Sequence, residues 1–328
     1  MGRRGKKVLR VAILLGAALL ALCVGWYVLG RMTFGRRAVR VRTMEGAGSI
    51  DSPSLGAELR LGTFNIAHGR GLAEGNWGGG DRAARLARLR RIARMLKEAR
   101  LDVVVLNEVG FAAQWSHNVN QAAFIAREAG FAYWVEQCNF EMVFPFCSFR
   151  WGNAVLSRYP IQQTSLVDYP AYSKWEALLA GKKRGVVCTV ELPEGRRIRL
   201  LAVHLEHRSE PVRYRSAEVI ERLRAASDLP FVCAGDFNST PVGYPRAGRG
   251  PGGKTALTLL LEGGGFRTLP DSGSGPAPED LTFSAPHPEV VIDWILVPPG
   301  WQIASKQVLP VDYSDHRLVI ASVVMDEP

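Results

Sequence analysis

Polar residues that are able to do chemistry lie beside or within apolar runs along the whole sequence. They are Asn65, Glu108, His204, Asp236, Asn238, Asp293, Asp315 and His316. The ends of strands meet at one edge of a packed sheet, where α/β enzymes commonly place their ligands and catalytic groups. The pattern therefore predicts that these side chains form one site.

The residue types in this set suit metal-assisted acid–base catalysis. Such chemistry needs a positioned water, a base, and cations over the developing negative charge. Carboxylate and amide oxygens are the hard ligands that Mg²⁺ prefers. A histidine beside a carboxylate is held in one tautomer and kept more cationic. Two acids, an amide and two histidines can supply these functions together.

Each of these residues alone has a simpler structural explanation. A carboxylate after a strand usually caps a turn or a helix, and a single histidine is more often structural than catalytic. Asp293 is harder to dismiss, because it lies inside the apolar run Val-Ile-Asp-Trp-Ile-Leu-Val, where an unpaired carboxylate would be costly to bury. The ordered set is what favours a functional site.

Apolar strands must position these residues. The continuous apolar run 101–106 indicates a buried strand, and the turn at 193–195 between two strand patterns indicates a hairpin. Amphipathic helices are predicted over 82–100, with Asp81 as N-cap, and over 212–226. Hairpins and helical crossovers both occur, so we expect mixed sheets with helices outside them.

The N-terminal segment is apolar enough to cross a membrane. Residues 11–32 carry no charge before Arg31, and roughly 20 residues at about 1.5 Å each span a ~30 Å hydrocarbon core. A cleaved signal peptide is the main alternative, but 23–27 continues apolar and bulky where a small-x-small site would be needed. The expected regions are a basic N-terminus over 1–10, an uncleaved transmembrane anchor over 11–32, a linker over 33–57 and a catalytic domain over 58–326.

The net charge of +10 belongs to the anchor region. Residues 1–42 hold ten Lys or Arg and no acid, which leaves 31 basic and 31 acidic residues in the rest of the chain. This neutral remainder argues against general nucleic-acid binding, which needs clustered cations. Each flank of the apolar run carries five basic residues, so the charge bias does not set the orientation. We expect the larger part to lie outside the cytoplasm.

The positions of the cysteines allow one disulfide bond. Cys138 and Cys147 bracket a short apolar loop and are able to form a disulfide, whereas Cys188 and Cys233 lie in predicted strands as core residues. No Cys-x-x-Cys spacing indicates structural zinc. The apolar loop over 140–149 either packs against the domain, which is the favoured interpretation, or contacts acyl chains.

Seven segments of the chain together resemble the endonuclease/exonuclease/phosphatase superfamily, which includes deoxyribonuclease-like, abasic-endonuclease-like and neutral-sphingomyelinase-like phosphoesterases. They span roughly 58–325 in the order found in that superfamily. The segments are Thr63-Phe64-Asn65, Val105-Leu106-Asn107-Glu108, Gly152-Asn153-Ala154-Val155-Leu156-Ser157-Arg158, Val203-His204-Leu205, Gly235-Asp236-Phe237-Asn238, Ile292-Asp293-Trp294-Ile295 and Ser314-Asp315-His316-Arg317. The resemblance implies an α/β fold, a four-layer α/β/β/α sandwich of two mixed sheets flanked by helices, here preceded by one transmembrane helix.

The resemblance also implies a metal site for Mg²⁺ or Mn²⁺. Glu108 would bind the ion directly, with Asn65 and Asp315 nearby. Some members carry an acid two positions after the first Asn, where this chain has Ala67, so the full ligand set stays open.

The same resemblance assigns catalytic roles. Asp236 would orient or deprotonate the attacking water, and Asn238 would hold a phosphate oxygen. His316, oriented by Asp293, would contact the phosphate and stabilise the transition state. His204 would act on the side of the leaving group, as an acid or as a ligand of the phosphate.

These observations predict a metal-dependent phosphoester hydrolase, with His68 and Arg184 as further candidates for contact with the phosphate. Nucleic acid, a phospholipid headgroup and a soluble phosphoester remain possible substrates. The alternative is a non-catalytic, membrane-anchored binding protein on the same fold, which would usually lack Asp236, His316 or Glu108. We expect a single-pass membrane protein and a monomer with no obligate protein partner.

Overall fold

Two mixed sheets pack face to face between two layers of helices. This computed structural model describes residues 2–33, 38–45, 56, 58–144, 147–179, 181–271 and 273–325. In spatial order, the first sheet contains β1 (Val39–Thr43), β4 (Tyr133–Phe144), β5 (Cys147–Ser157), β3 (Val103–Gly110), β2 (Leu59–Asn65), β12 (Leu318–Val324) and β11 (Gln302–Leu309). The second contains β10 (Asp293–Leu296), β9 (Phe231–Asp236), β8 (Arg197–His204), β7 (Arg184–Glu191) and β6 (Ile161–Asp168). The helices are α1 (Arg3–Thr33), α2 (Arg82–Glu98), α3 (Gln121–Ala129), α4 (Lys174–Leu179), α5 (Glu210–Ala225) and α6 (Ala256–Glu262).

Each sheet combines parallel and antiparallel pairs. β2 and β3 are parallel, as are β8 and β9, and both pairs are connected through a helix. The remaining strand pairs are antiparallel. Parallel pairing brings the carboxyl ends of β2 and β3 to one edge, and those of β8 and β9 to one edge of the facing sheet.

Three apolar cores hold the layers together. One lies between the sheets, where Leu61 and Val105 of the first sheet join Val186 and Ala202 of the second. The others lie between α2–α3 and the first sheet, and between α5–α6 and the second. The predicted four-layer α/β/β/α sandwich is therefore confirmed.

The helix α2 follows the local sequence closely. The Asp81 side chain accepts a hydrogen bond from the Ala84 backbone N–H, which caps the helix. Leu89, Ile92 and Leu96 are fully buried, and their spacing of three and four residues puts them on the face toward the sheet. Capping and periodicity therefore fix both the start and the orientation of this helix.

The region predicted as a linker contains a strand. β1 pairs with β4, with Val39 opposite Gln137 and Thr43 opposite Tyr133. Within 33–57 the expectation of irregular structure is therefore wrong for 39–43. The alternating Val-Arg-Val-Arg pattern is too short to read as a strand alone, but it completes the edge of an existing sheet.

The segment predicted as an apolar loop over 140–149 is instead part of the hairpin of β4 and β5; residues 145–146 lie outside the described residues. The register excludes a disulfide between its cysteines. Cys138 lies opposite Gly152, whereas Cys147 lies opposite Phe144, so roughly 20 Å of strand separates them. A disulfide needs Cα atoms within about 7 Å, and Cys138 carries a free thiol.

The helix α1 is long and apolar enough to cross a membrane. An 18-residue window within residues 3–30 reaches a mean hydropathy of 2.5, and none of it is buried in the protein.

Candidate active site

The strand ends of both sheets bring the predicted polar residues together. Asn65 ends β2 beside Asn107 of β3. In the facing sheet His204 ends β8 and pairs in register with Asp236, which ends β9. Asp293 begins β10 opposite Asp236. The site therefore lies at one open edge of the sandwich, where the two sheets face each other.

Two buried asparagines join the sheets beneath this edge. Asn107 Nδ2 donates to the Val203 carbonyl at 2.9 Å, and Asn107 Oδ1 accepts from the Asp236 backbone N–H at 2.9 Å. Asn153 Nδ2 donates to the Arg184 carbonyl at 2.9 Å, and Asn153 Oδ1 accepts from Asn107 Nδ2 at 2.9 Å. Neither residue was predicted as part of the site, although both are polar residues inside apolar strand motifs, and that was the available signal.

Asp236 is at the centre of the polar cluster. Its Oδ2 accepts from Asn65 Nδ2 at 3.2 Å, and its Oδ1 accepts from the Asn238 backbone N–H at 2.9 Å. The Nε2 atoms of His204 and His316 lie 3.7 and 3.8 Å from Oδ2. Burial disfavours the charged carboxylate and outweighs the nearby His316, which raises the pKa of Asp236 to about 7. A carboxylate that titrates near neutrality is suited to act as a base.

His316 is held by Asp293. The His316 Nδ1 atom lies 2.9 Å from Asp293 Oδ2 and 3.2 Å from Oδ1. Burial disfavours the imidazolium, but Asp293, followed by Asp236 and Asp315, overcomes this effect and raises the pKa of His316 to about 10. The contact fixes the ring orientation and leaves Nε2 directed toward Asp236.

The side-chain amide of the half-buried Asn238 is held in place by a backbone carbonyl. Asn238 Nδ2 donates to the Leu205 carbonyl at 3.1 Å, and the residue adopts a left-handed backbone conformation with φ 49°. The turn after β9 therefore presents both Asp236 and Asn238 at the site edge.

Glu108 is presented by an irregularity of β3. The register between β3 and β5 shifts between Leu106 and Val109, and Glu108 has a φ of 52°, which is strained for a residue with a Cβ. Burial opposes ionisation of its carboxylate, but His68, followed by Lys183, outweighs burial and lowers the pKa of Glu108. The bulge thus turns an ionised carboxylate toward the open edge.

The oxygen donors at this edge fit a hard divalent cation. Among the described residues, the Glu108 carboxylate accepts no side-chain hydrogen bond, and His68 Nε2 lies 3.7 Å away. Arg70 NH2 and NH1 donate to Asp315 Oδ2 at 2.9 and 3.2 Å, and Arg70 does not bond to Asp315 Oδ1. Asn65 Oδ1 accepts from the Ala67 backbone N–H at 3.0 Å and retains its second lone pair. The predicted residues Glu108, Asp315 and Asn65 are therefore able to hold the ion.

A second group of candidate ligands lies deeper. Asp236, Asp293 and His316 each offer one ligand atom, and these three atoms lie within 4.8 Å of one another. His316 Nδ1 is already bound by Asp293, so a metal ion at this second group would have to displace that contact.

A cleft of about 240 Å³ opens beside this cluster, on the side of Glu108 and His204. The predicted residues Glu108, His204 and His68 line it, together with Trp151 and Lys183. Lys183 Nζ lies 2.6 Å from His204 Nε2. Burial lowers the pKa of Lys183, although Glu108 and other acids oppose this effect. The basic run Lys182-Lys183-Arg184 was a candidate patch for substrate, but Lys183 was not predicted as a site residue, because the sequence does not show which of the three faces the cleft.

The two candidates for phosphate contact have different positions. His68 lies in the cleft wall, and burial lowers its pKa to about 4 despite the opposing effect of Glu108, so the ring is neutral at pH 7. Arg184 is bound elsewhere: its Nε donates to Asp168 at 2.7 Å and its NH1 donates to the Asn139 carbonyl at 2.8 Å. The neighbouring Lys183 lines the cleft in its place.

A four-layer sandwich with carboxylates, amides and histidines at one edge defines a phosphoesterase-type fold and site. The sequence profile of the Endonuclease/Exonuclease/phosphatase family matches residues 62–316, and the chain belongs to this family. Members of the family are generally hydrolases that act on phosphoester bonds and typically depend on a divalent metal. No curated protein matches the chain significantly.

Solved structures share the fold at low sequence identity. An endonuclease/exonuclease/phosphatase from Beutenbergia cavernae is 21% identical with a TM-score of 0.55, over 82% of this chain and 72% of that chain. A mannosyl-6-phosphatase from Bacteroides thetaiotaomicron is 16% identical with a TM-score of 0.54, over 81% and 100%. A humanized D. rerio TDP2 is 14% identical with a TM-score of 0.56, over 82% and 100%.

Proposed function

We propose that the protein is a hydrolase of phosphoester bonds, in the first place phosphodiesters, and that it requires Mg²⁺ or Mn²⁺. The arrangement around Asp236 carries this proposal. A buried carboxylate with a pKa of about 7 lies between two histidines and accepts a hydrogen bond from Asn65. This combination provides a base and a cation at one point, as attack on phosphorus requires.

The attack begins at Asp236. Its Oδ2 takes a proton from a water whose oxygen forms a bond to phosphorus, while the P–O bond to the leaving alcohol breaks. His316, kept cationic by Asp293, stabilises the negative charge that develops on the phosphate oxygens. Asn238 orients the phosphate from the same turn as Asp236.

Glu108, Asp315 and Asn65 would hold the divalent ion, and the ion would neutralise charge on the phosphate. The leaving alkoxide takes up a proton on the side of His204. Lys183, 2.6 Å from His204 Nε2, is able to supply that proton, since burial lowers the pKa of its ammonium group.

We also propose that α1 anchors the enzyme in a membrane and that the folded part lies outside the cytoplasm as a monomer. The length, the hydropathy and the exposure of α1 support anchoring. Protease added to sealed vesicles of known orientation should digest the folded part only where the extracytoplasmic face is outward. Digestion from the opposite face would contradict this orientation.

The hydrolase proposal is tested with the full chain purified in detergent and a chromogenic phosphodiester. We expect turnover with Mg²⁺ or Mn²⁺, none after chelation, and at least a thousandfold loss in Asp236→Asn. Asp228→Asn is the matched control, because Asp228 is an exposed carboxylate before the opposite end of β9. Full turnover without metal, or in Asp236→Asn, would refute the proposed chemistry.

A further inference from the structure

The chain that leaves α1 joins the folded part at the edge that carries the site. α1 ends at Thr33, and β1 begins at Val39. The Cys138 backbone N–H donates to the Ala38 carbonyl at 2.7 Å. The residue after Cys138, Asn139, lines the cleft. The tether therefore enters beside the cleft.

The pairing register of the first sheet also places the end of the tether at the level of the site. Val39, the first residue of β1, lies opposite Gln137 of β4, which lies opposite Asn153 of β5. Asn153 is bonded to Asn107, which lies opposite Asn65 at the end of β2. The start of β1 is thus level with the row of amides beneath the site.

The tether is short. Six Cα–Cα steps separate Thr33 from Val39, and each spans at most about 3.6 Å, so the end of α1 lies within roughly 20 Å of Val39. β2 lies four strand spacings of about 4.8 Å across the sheet from β1, so the site edge stays within roughly 40 Å of the end of α1. If α1 crosses a membrane, the site edge is therefore confined to the neighbourhood of the surface of that membrane.

The hairpin of β4 and β5 links the cleft to the anchor. β4 contacts α1, and Trp151 of β5 lines the cleft. Trp151 packs on Phe140 with ring centroids 4.5 Å apart and on Trp115 at 4.8 Å. Trp115 in turn contacts Trp77 at 6.3 Å. An aromatic chain therefore runs from the cleft wall to the surface.

One exposed aromatic side chain lines the cleft, a second lies on a helix that lines it, and a third connects to the cleft wall through Trp115. Outside α1, the large aromatic side chains that are exposed among the described residues are Trp77 at 66%, Tyr172 at 51% and Trp175 at 74%. Tyr172 lines the cleft, and Trp175 lies on α4, whose Glu176 and Ala177 also line it. We call these three residues the aromatic rim. Tryptophan and tyrosine are enriched where protein meets the membrane–water interface.

We propose that the aromatic rim and the site edge lie against the bilayer that α1 crosses, and that the cleft hydrolyses the headgroup phosphoester of a phospholipid in that same bilayer. This inference rests on the proposed hydrolase function and adds the class of substrate and its location. The charge of the chain agrees with it: beyond residue 42, basic and acidic residues are equal in number, whereas a nucleic-acid site needs clustered cations.

The test uses the full chain reconstituted into vesicles of phosphatidylcholine, phosphatidylethanolamine and phosphatidylglycerol. Protein-free vesicles of the same composition, distinguished by isotope-labelled headgroups, are mixed in. Mass spectrometry follows the loss of each lipid, and a chromogenic phosphodiester in solution reports the activity itself. We expect the lipids of the protein-bearing vesicles to be hydrolysed at least tenfold faster than those of the protein-free vesicles.

Variants of the aromatic rim test the surface directly. The double variant Trp77→Ala/Trp175→Ala should lower lipid hydrolysis at least tenfold and leave turnover of the soluble diester within twofold. Val324→Ala is the control, because Val324 is an exposed apolar residue at the end of β12 away from the site and should change neither rate. The soluble diester also reports any loss of folding in the double variant.

The outcomes separate the two proposals. Turnover of the soluble diester without lipid hydrolysis, or faster hydrolysis of added DNA or RNA than of any lipid, would overturn this inference and leave the proposed function standing. Equal rates in both sets of vesicles would also overturn it. Absence of turnover on every substrate with Mg²⁺ and Mn²⁺ would refute the hydrolase proposal itself.

Discussion

At the scale of single residues, the site depends on the different environments of two carboxylates. Asp293 holds the His316 ring through a direct contact at 2.9 Å, whereas Asp236 faces Asn65 and the Nε2 atoms of both histidines. Burial raises the pKa of Asp236 to about 7, which suits a base at neutral pH. We therefore propose Asp236 as the base and Asp293 as the residue that positions His316.

Replacement of Asp293 tests that assignment. Asp293→Asn should retain the fold but lower kcat by about 10²–10⁴, the usual range for acid–base groups, because the amide no longer stabilises the imidazolium. The KM for a soluble diester should change less than threefold, since Asp293 does not face the cleft. Steady-state kinetics measure both constants, and an unchanged kcat would show that His316 acts without this contact.

Lys183 provides a test that depends on the substrate. If Lys183 protonates the leaving group, Lys183→Met should slow an alkyl phosphodiester at least tenfold and barely affect a nitrophenyl diester, whose leaving group needs no proton. Lys182→Met is the neighbouring control, because Lys182 pairs with Asp168 at 3.1 Å. Equal losses on both substrates would assign Lys183 to binding instead.

The sequence predicts much of this residue set, but not its whole composition. Asp236, Asp293 and His316 stand in apolar strand motifs that few structural roles explain. Lys183 lies directly before β7, and the antiparallel pairing of β7 with β8 brings it to His204. Arg184, which looked equally suitable, turns to Asp168 because the pleat of β7 directs neighbouring side chains to different partners.

At the scale of elements, amide bridges between the strands align the two halves of the site. Asn107 contacts both Val203 and Asp236 of the facing sheet. The bulge beside it presents Glu108, and no periodicity of the sequence indicates a bulge. The sequence predicts that this segment is a strand. It does not predict the positive φ of Glu108, because that conformation depends on how β3 pairs with β5.

Removal of the bridge should cost stability. Asn107→Ala leaves the Val203 carbonyl and the Asp236 N–H without their partner, and each unsatisfied buried group costs about 1–3 kcal/mol. Urea unfolding should show a lower midpoint with an unchanged m value. Gln307→Ala, an exposed amide on β11, should stay within about 0.5 kcal/mol of the wild type. Equal midpoints for both variants would contradict the bridging role.

At the scale of the whole molecule, fewer residues connect α1 to the sandwich than the sequence indicates. The predicted linker over 33–57 is interrupted by β1, which adds to the sheet edge next to β4. Propensity did not reveal this strand, because an edge strand of five residues depends on a partner that is distant in sequence. The layers themselves were predictable from apolar periodicity.

The register of the β4–β5 hairpin makes a prediction about redox conditions. Since about 20 Å of strand separates Cys138 from Cys147, the melting temperature of the full chain should be the same with and without a thiol reductant. Differential scanning calorimetry in detergent measures it. A decrease of several degrees in reductant would mean that a disulfide forms and that the register of this hairpin differs.

The central claim is that water attacks phosphorus at the Asp236 edge of the sandwich. Hydrolysis of a phosphodiester by the full chain with Mn²⁺ in ¹⁸O-enriched water tests it most directly, with mass spectrometry of both products. The account predicts one ¹⁸O in the phosphate-bearing product, none in the alcohol, and no labelled product from Asp236→Asn. Label in the alcohol, or labelled phosphate formed equally by Asp236→Asn, would contradict it.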